Sequence, residues 1–337
     1  MNSEYNVSII VPTYNVEKTI KNCLSRIIKE SQGLKSEIIL VDDCSTDKTV
    51  EIIKTFKDIK LIKLENNQGA GNARNKGADE AKYENLCFVD SDINISEGSI
   101  LNLVKRLKKD ENTGSVAAIQ DVFNLNESSW SSNFVGLKSC YGFDDLKEEK
   151  DFSVCTSEFC VISKELFFKI GKWKAFYAAG GEEFDMGYKI LKINKKNIKT
   201  ISATYSGYWC SLDIRFKHII ERTTKYIPIF LDKKKFDTKG SFATLEQFFS
   251  TFTTLLTVIY ILISLVFDND FFMSGLIVLI ILQLIFELNF LIFAKKNYGI
   301  KMLIFSLFGI QVINIGILLG VLIFFYKIIF SKTIITN

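Results

Sequence analysis

A single histidine stands among 337 residues, with two prolines and three tryptophans. His218 alone cannot complete a Cys/His zinc cluster. The seven cysteines (Cys23, Cys44, Cys87, Cys140, Cys155, Cys160 and Cys210) are odd in number, irregularly spaced and contain no CxxC pair. They are expected to be small reduced residues, as the apolar surroundings of Cys87 suggest. No segment is both strongly basic and free of acids, and Lys+Arg 42 against Asp+Glu 38 leaves a net charge of only +4. Nucleic acid is therefore excluded as a partner. With 24% charged and 48% hydrophobic residues, the chain is not a disordered tail, a collagen-like rod or a disulfide miniprotein. Residues 1–5 are polar and run straight into a strand, so no N-terminal signal peptide is expected. The N-terminal half is expected to be cytoplasmic.

The length suggests about two folded units. Residues 7–11 (VSIIV), closed by Pro12, read as a buried parallel strand. Residues 18–29 carry apolar side chains at helical spacing: Ile20, Leu24, Ile27 and Ile28. Strands are expected at 37–41, 59–64 and 86–89. Helices are expected at 48–56, with Ser45 or Thr46 as N-cap, and at 69–82, started through a glycine loop. Strand–helix alternation at this pitch predicts an open α/β sheet with ligands at the carboxyl ends of its strands. The polar clusters Thr13–Asn15, Asp42-Asp43 and Asp90-Ser91-Asp92 all follow such ends. One coincidence is a turn, whereas three in register predict a site.

After Phe248 the composition changes, and most of the excess behind a mean hydropathy of +0.17 lies there. Spans are expected at 248–267, 271–294 (with Gln283, Glu287 and Asn289) and 302–326 (with Gln311 and Asn314). The expected division is 1–240 and 241–337. Lys233–Lys235, Lys239, Lys295, Lys296 and Lys301 against the acidic 268–270 loop place the first domain and the Lys295 turn in the cytoplasm. Two spans with one interfacial segment are the alternative, to which Lys327 and Lys332 lend weight. The lysine runs at 192–199 and 225–239 read as basic surface for anionic lipid. Gly316 and Gly320 read as a close helix-packing pair.

Gly69-Ala70-Gly71 opens a GxGxx string, but it follows the third strand and ends in Arg74, so a dinucleotide fingerprint is not read there. Asp90 and Asp92, one residue apart at a strand end, are hard oxygen ligands suited to one Mg²⁺ or Mn²⁺ bridging to phosphate.

VSIIVPTYN (7–15), ILVDDCSTDKT (39–49), NNQGAGNARNKG (66–77), FVDSD (88–92) and GGEEFDMGYKI (180–190) occur in that order. FCVISKELFFKIGKW (159–173) lies between the last two. Together they resemble the family 2 glycosyltransferases over roughly residues 5–220. The resemblance implies a GT-A fold, meaning a Rossmann-like, mostly parallel sheet, here followed by transmembrane helices. It also implies a nucleotide-diphosphate sugar donor, a divalent metal and inversion at the anomeric carbon. By the same resemblance Pro12, Thr13 and Tyr14 line the nucleoside pocket, Asp42 or Asp43 bonds the base, and Arg74 lies near the donor. Asp90 and Asp92 form the metal and ribose-phosphate pair. Glu183, preceded by Glu182, takes the place of the catalytic base, which is usually Asp in the family. Cys44 stands where the family usually has glycine. His218 is a candidate third metal ligand or diphosphate contact, against ordinary helix packing. No QxxRW string is present, which points away from processive synthesis.

The leading expectation is a multi-pass membrane glycosyltransferase acting on a lipid-linked or cell-envelope glycan acceptor at the cytoplasmic face. A polyprenyl-phosphate sugar synthase is the first alternative. A non-catalytic nucleotide-sugar-binding membrane scaffold is the second.

Overall fold

The computed structural model describes residues 2–124, 129–141, 149–174, 181–233, 244–265 and 271–330. Its strands are β1 (Asn2–Thr13), β2 (Leu34–Asp42), β3 (Ile59–Lys63), β4 (Asn85–Val89), β5 (Ile93–Ile95), β6 (Thr113–Asn124), β7 (Lys150–Phe152), β8 (Phe159–Ser163) and β9 (Lys196–Gly207). Its helices are α1 (Ile20–Ser31), α2 (Thr49–Ile53), α3 (Ala70–Asp79), α4 (Ser99–Lys109), α5 (Trp130–Cys140), α6 (Lys164–Lys169), α7 (Gly181–Lys192), α8 (Leu212–Lys233), α9 (Leu245–Ser264) and α10 (Phe271–Phe330). Two compact units result, Met1–Leu125 with Phe143–Tyr208, and Asn126–Gly142 with Trp209–Asn337. The break expected after residue 240 marks only the start of the long apolar segments. By compactness α5 and α8 fold with those segments, because their apolar faces pack there.

The first unit is built on a nine-stranded sheet in the order β3-β2-β1-β4-β8-β6-β9-β5, with β7 also paired to β9. The pairs β1/β2, β1/β4, β2/β3 and β6/β9 are parallel, whereas β8 is antiparallel to both β4 and β6. Successive strand residues face opposite sides. Val7, Ile9 and Val11 therefore join one core with Leu24, Ile27, Leu103 and Val104, whereas Ile10 joins the other with Ala73, Phe88, Phe167 and Trp173. Helix α1 buries Ile20, Cys23, Leu24 and Ile27, and α4 buries Ile100, Leu103, Val104 and Leu107, each a stripe at 3.6-residue spacing. Gly77 permits the approach of α3 to the sheet, since a Cβ there would lie 2.4 Å from Cγ2 of Ile10.

The structure moves three local expectations. Strand β1 continues to Thr13, with Pro12 paired to Val41; at a strand end the missing N–H costs little. Helix α2 is capped by neither Ser45 nor Thr46. Asp47 Oδ1 accepts the Thr49 N–H at 3.0 Å instead. Among the 192–199 lysines, Lys195 donates to the Glu111 carbonyl, Lys196 pairs with Asp151 at 3.2 Å, and buried Lys199 lies over the Phe152 ring. These three serve their own domain. Lys234, Lys235, Lys239, the 268–270 loop and Lys332 lie outside the described residues.

In the second unit, α9 and the 274–330 part of α10 are each long and apolar enough to cross a membrane. The two later expected spans fall on α10, whose helical backbone is interrupted at Gly299 (φ 77°). Gly316 and Gly320 face α8, where a Cβ on Gly320 would lie 2.6 Å from Cβ of Thr223. Asn314 is fully buried and joins α9 to α10. Its Nδ2 donates to Ser250 Oγ and Thr254 Oγ1 at 2.9 Å each, and its Oδ1 accepts from Gln247 at 2.7 Å and Thr251 at 3.2 Å. Gln283 Nε2 adds a bond to Thr254 Oγ1 at 2.9 Å. Helix α5 contributes Lys138, whose Nζ lies 2.9 Å from Glu287 and over the Phe290 ring.

Candidate active site at the carboxyl edge of the sheet

Parallel pairing in register brings Thr13 beside Asp42 at the ends of β1 and β2, and β4 ends alongside at Asp90. The loops there are stitched to one another. Asn15, at φ 51°, accepts the Thr46 N–H through Oδ1 at 2.8 Å, and Cys44 adopts φ 67°. Cys44 thus takes the left-handed conformation for which glycine is the ordinary choice, at the cost of local strain. Thr13 and Pro12 are buried, and Tyr14 projects with 47% exposure.

The adjacent acids Asp42 and Asp43 have different fates. Asp43, 2% exposed, accepts the N–H groups of Gln68 and Gly69 at 2.7 Å each, holding the glycine loop that starts α3. Two of the N–H donors at this GxGxx turn are thereby occupied. Asp42, 1% exposed, accepts the Ser45 N–H through Oδ2 at 3.2 Å, but its buried Oδ1 has no partner among the described residues. An orphaned buried acceptor is costly, which marks Asp42 rather than Asp43 as the acid awaiting a donor.

Arg74, 4% exposed, donates through Nη2 to Asp90 Oδ1 at 2.6 Å, and its Nη1 lies 3.8 Å from Glu182. The guanidinium therefore ties β4 to the start of α7. Asp90 is largely buried; loss of hydration, opposed by Arg74 and reinforced by Asp92 and Glu158, pushes its carboxyl up to about 7. The Asp92 side chain reaches solvent, yet the protein crowding it strips enough water to raise its carboxyl to about 6, with Glu158 adding repulsion.

Glu183 is half-buried on the first turn of α7. Its Oε1 accepts the Ser157 N–H at 2.6 Å and the Ser157 hydroxyl at 2.8 Å. Burial, then Glu158 and Glu182, raise its carboxyl to about 7 against the lowering effect of Ser157. Glu182 is buried and faces Arg74, so it holds the site rather than opening toward it.

Ser157 and Glu158 escaped the sequence reading. They lie just before β8, in a stretch with no repeated acid pair or glycine to signal them. The Glu158 carbonyl accepts the Asp90 N–H at 2.8 Å, and its carboxylate accepts the Tyr205 hydroxyl. His218 lies on α8, in the other compact unit, where burial, then Arg222 and Arg215, lower its imidazole. Among the described residues no three His, Cys, Asp or Glu side chains converge as a metal cage. The donor set at the edge is the Asp92 carboxylate and Asp90 Oδ2, which Arg74 does not engage. Two hard carboxylate oxygens, on groups whose carboxyls are raised first by loss of hydration, would suit a Mg²⁺-type ion.

The profile described as Glycosyl transferase family 2 matches residues 8–171. The chain is 29% identical over 195 residues to glycosyltransferase GlyG of Streptococcus pneumoniae serotype 4, covering 53% of this chain and 62% of that protein. It is 34% identical over 113 residues to the poly-beta-1,6-N-acetyl-D-glucosamine synthase of Staphylococcus epidermidis, covering 33% of this chain and 27% of the synthase. The chain thus spans less than two thirds of these curated relatives. Mannosyltransferase PcManGT from Pyrobaculum calidifontis, solved with GDP-Man and Mn²⁺, superimposes with a TM-score of 0.56 at 16% identity, covering 97% of this chain and 87% of that one. GalNAc-T7, solved with UDP, GalNAc and Mn²⁺, gives 0.53 at 18% identity over 74% and 50%. At such identities the likeness is one of fold, and the fold is GT-A.

Proposed function

Because this chain belongs to the family 2 glycosyltransferases, its family profile covering residues 8–171, we propose that it moves one sugar per turnover from a nucleotide-diphosphate sugar to a lipid-linked or cell-envelope glycan acceptor. The reaction proceeds with inversion, depends on a divalent metal and takes place at the cytoplasmic membrane face. One observation carries this reading: the Asp90–Asp92 pair and the Ser157-held Glu183 stand on the same sheet edge, joined through Ser157–Glu158. The curated relatives support the glycan acceptor, and the two long apolar helices support attachment to a membrane.

In this reading Tyr14 stacks on the nucleobase and Asp42 Oδ1 accepts a hydrogen bond from it. Asp92 and Asp90 hold Mg²⁺ or Mn²⁺, which when bound neutralises charge on the departing diphosphate. Arg74 keeps Asp90 oriented. Glu183 has one oxygen fixed by Ser157, so its Oε2 takes the acceptor hydroxyl's proton as that oxygen bonds to the anomeric carbon. The bond from carbon to phosphate oxygen breaks, and the nucleoside diphosphate leaves. A base raised to about 7 is well matched to this transfer. A hydroxyl acceptor, rather than a lipid phosphate, is what makes such a base useful. The membrane part passes through α9 and the two arms of α10 on either side of Gly299, with the Lys295 turn on the cytoplasmic side.

The test is a panel of nucleotide sugars offered to detergent-solubilised protein with and without Mn²⁺. One donor should be consumed in a metal-dependent manner. Glu183→Gln should bind that donor normally and lose about 10²–10⁴-fold in kcat. The wild-type kcat should fall as pH drops through about 7, because Glu183 must be ionised to act. Consumption of no donor under any metal would sink the reading.

A further inference from the structure

Glu158 has no role in the scheme above, yet it stands between the two groups that the scheme keeps apart. The dipeptide Ser157–Glu158 spans the site. Ser157 holds Glu183 at 2.6 and 2.8 Å, and the next carbonyl, that of Glu158, accepts the Asp90 N–H at 2.8 Å. Asp90, Asp92 and Glu183 all feel its charge.

The direction of this carboxylate is fixed from the far side. Strand β5 follows Asp92 immediately and pairs with β9, setting Ile95 opposite Tyr205. Tyr205 is buried, its ring lies edge-on to Phe159 at 6.2 Å, and its hydroxyl donates to Glu158 Oε2. The other oxygen, Oε1, has no hydrogen-bond partner among the described residues, and the side chain is half-buried. A carboxylate crowded by three others is not kept there for stability, since each ionised neighbour raises the cost of its charge. One oxygen is tethered and the other left free, in the gap between a phosphate-side pair and a base. That arrangement suits acceptance of a hydroxyl hydrogen bond.

Resting on the glycosyl-transfer reading, we propose that Glu158 is the specificity-determining contact to the transferred sugar. Its Oε1 accepts a ring hydroxyl of the donor's hexose, and Tyr205 is the residue that positions it. The carbon under attack belongs to the sugar ring and is bonded directly to the diphosphate, so that ring would lie between the phosphate-side pair and the base. Its hydroxyls are therefore the donors that Oε1 would meet.

The test compares each sugar nucleotide with its own nucleoside diphosphate. From a panel of UDP- and GDP-sugars, the donor consumed by the full-length wild-type protein is chosen. Its affinity and that of UDP or GDP are then measured by calorimetry with Mn²⁺ for wild type, Glu158→Gln and Tyr205→Phe. A hydrogen bond to a charged group is worth roughly 1.5–3 kcal/mol, or about 10–100-fold. Glu158→Gln should weaken the sugar nucleotide within that range while leaving the nucleoside diphosphate within about twofold. Tyr205→Phe removes the tether, so it should raise KM for the donor several-fold with nucleoside diphosphate affinity unchanged; it also serves if Glu158→Gln does not fold. Equal weakening of both ligands would make Glu158 a metal ligand or a structural group and overturn the proposal. Wild-type behaviour of both variants would overturn it while leaving glycosyl transfer standing. A wild-type protein that consumes no sugar nucleotide would instead remove the reading on which the proposal rests.

Discussion

At the carboxyl edge of the sheet, Asp90, Asp92, Glu158 and Glu183 are like groups left with free oxygens, and burial raises the carboxyls of Asp90, Asp92 and Glu183. In the helical unit, Asn314 is neutral, fully buried and bonded through both ends of its amide to Gln247, Ser250, Thr251 and Thr254. Both clusters are polar groups gathered from distant parts of the chain. The first carries charge that the fold alone does not satisfy, whereas the second closes on itself. The contrast distinguishes a site from a fastening. Unsatisfied valences are aimed at something outside the chain, and saturated ones hold the chain together.

The largest effect that would sharpen this contrast lies at Asp92. Asp92→Ala should abolish turnover and remove the Mn²⁺ dependence of nucleotide binding. In metal-free buffer near pH 7 its thermal midpoint should be unchanged or slightly raised. The sign follows from the carboxyl being raised to about 6 in the fold. A raised carboxyl favours folding below its unfolded value, and that contribution is lost as pH climbs through about 6. At pH 7 the ionised group therefore opposes folding, and deleting it relieves repulsion. A clear fall in midpoint, with metal-dependent binding retained, would place Asp92 among the fastenings.

An intermediate effect separates the adjacent acids. Asp43→Ala would remove the charged acceptor shared by the N–H groups of Gln68 and Gly69, so it should cost about 1–3 kcal/mol of stability by denaturant unfolding. Asp42→Asn should leave stability nearly intact and weaken UDP or GDP, since its free Oδ1 serves a ligand. The reverse pattern would exchange their roles.

The smallest effect tests the helical cluster. A double-mutant cycle of Asn314→Leu with Thr254→Val, read by unfolding in detergent, should give a coupling of about 0.6 kcal/mol, typical of hydrogen bonds between membrane helices. The kcat of solubilised Asn314→Leu should stay at the wild-type value. Altered chemistry would mean that the helical cluster is more than a fastening.

Much of the edge was legible in the chain. Short β-branched runs ending in Thr13, Asp42 and Asp90 give both the strands and the place where their loops gather, because parallel strands present their carboxyl ends together. The motif order from VSIIVPTYN to GGEEFDMGYKI brought Asp90, Asp92, Arg74 and Glu183 into view. Glu158 was not legible, since a single acid before a short strand resembles any surface residue. The cap of α2 was misplaced because Ser45, Thr46 and Asp47 are all competent, and Asn15, in the loop after β1, holds Thr46.

By itself, then, the sequence determined which segments become strands, where the acids stand relative to strand ends, and that long apolar segments follow Phe248. These depend on periodicity and composition, which are local. Only the tertiary structure decided that Asp43 is consumed by an N–H pair about 25 residues away, that Asp42 keeps a free oxygen, and that Tyr205 aims Glu158 from 47 residues along the chain. A side chain's role depends on which donor reaches it first, and that is settled by the register of strands distant in sequence.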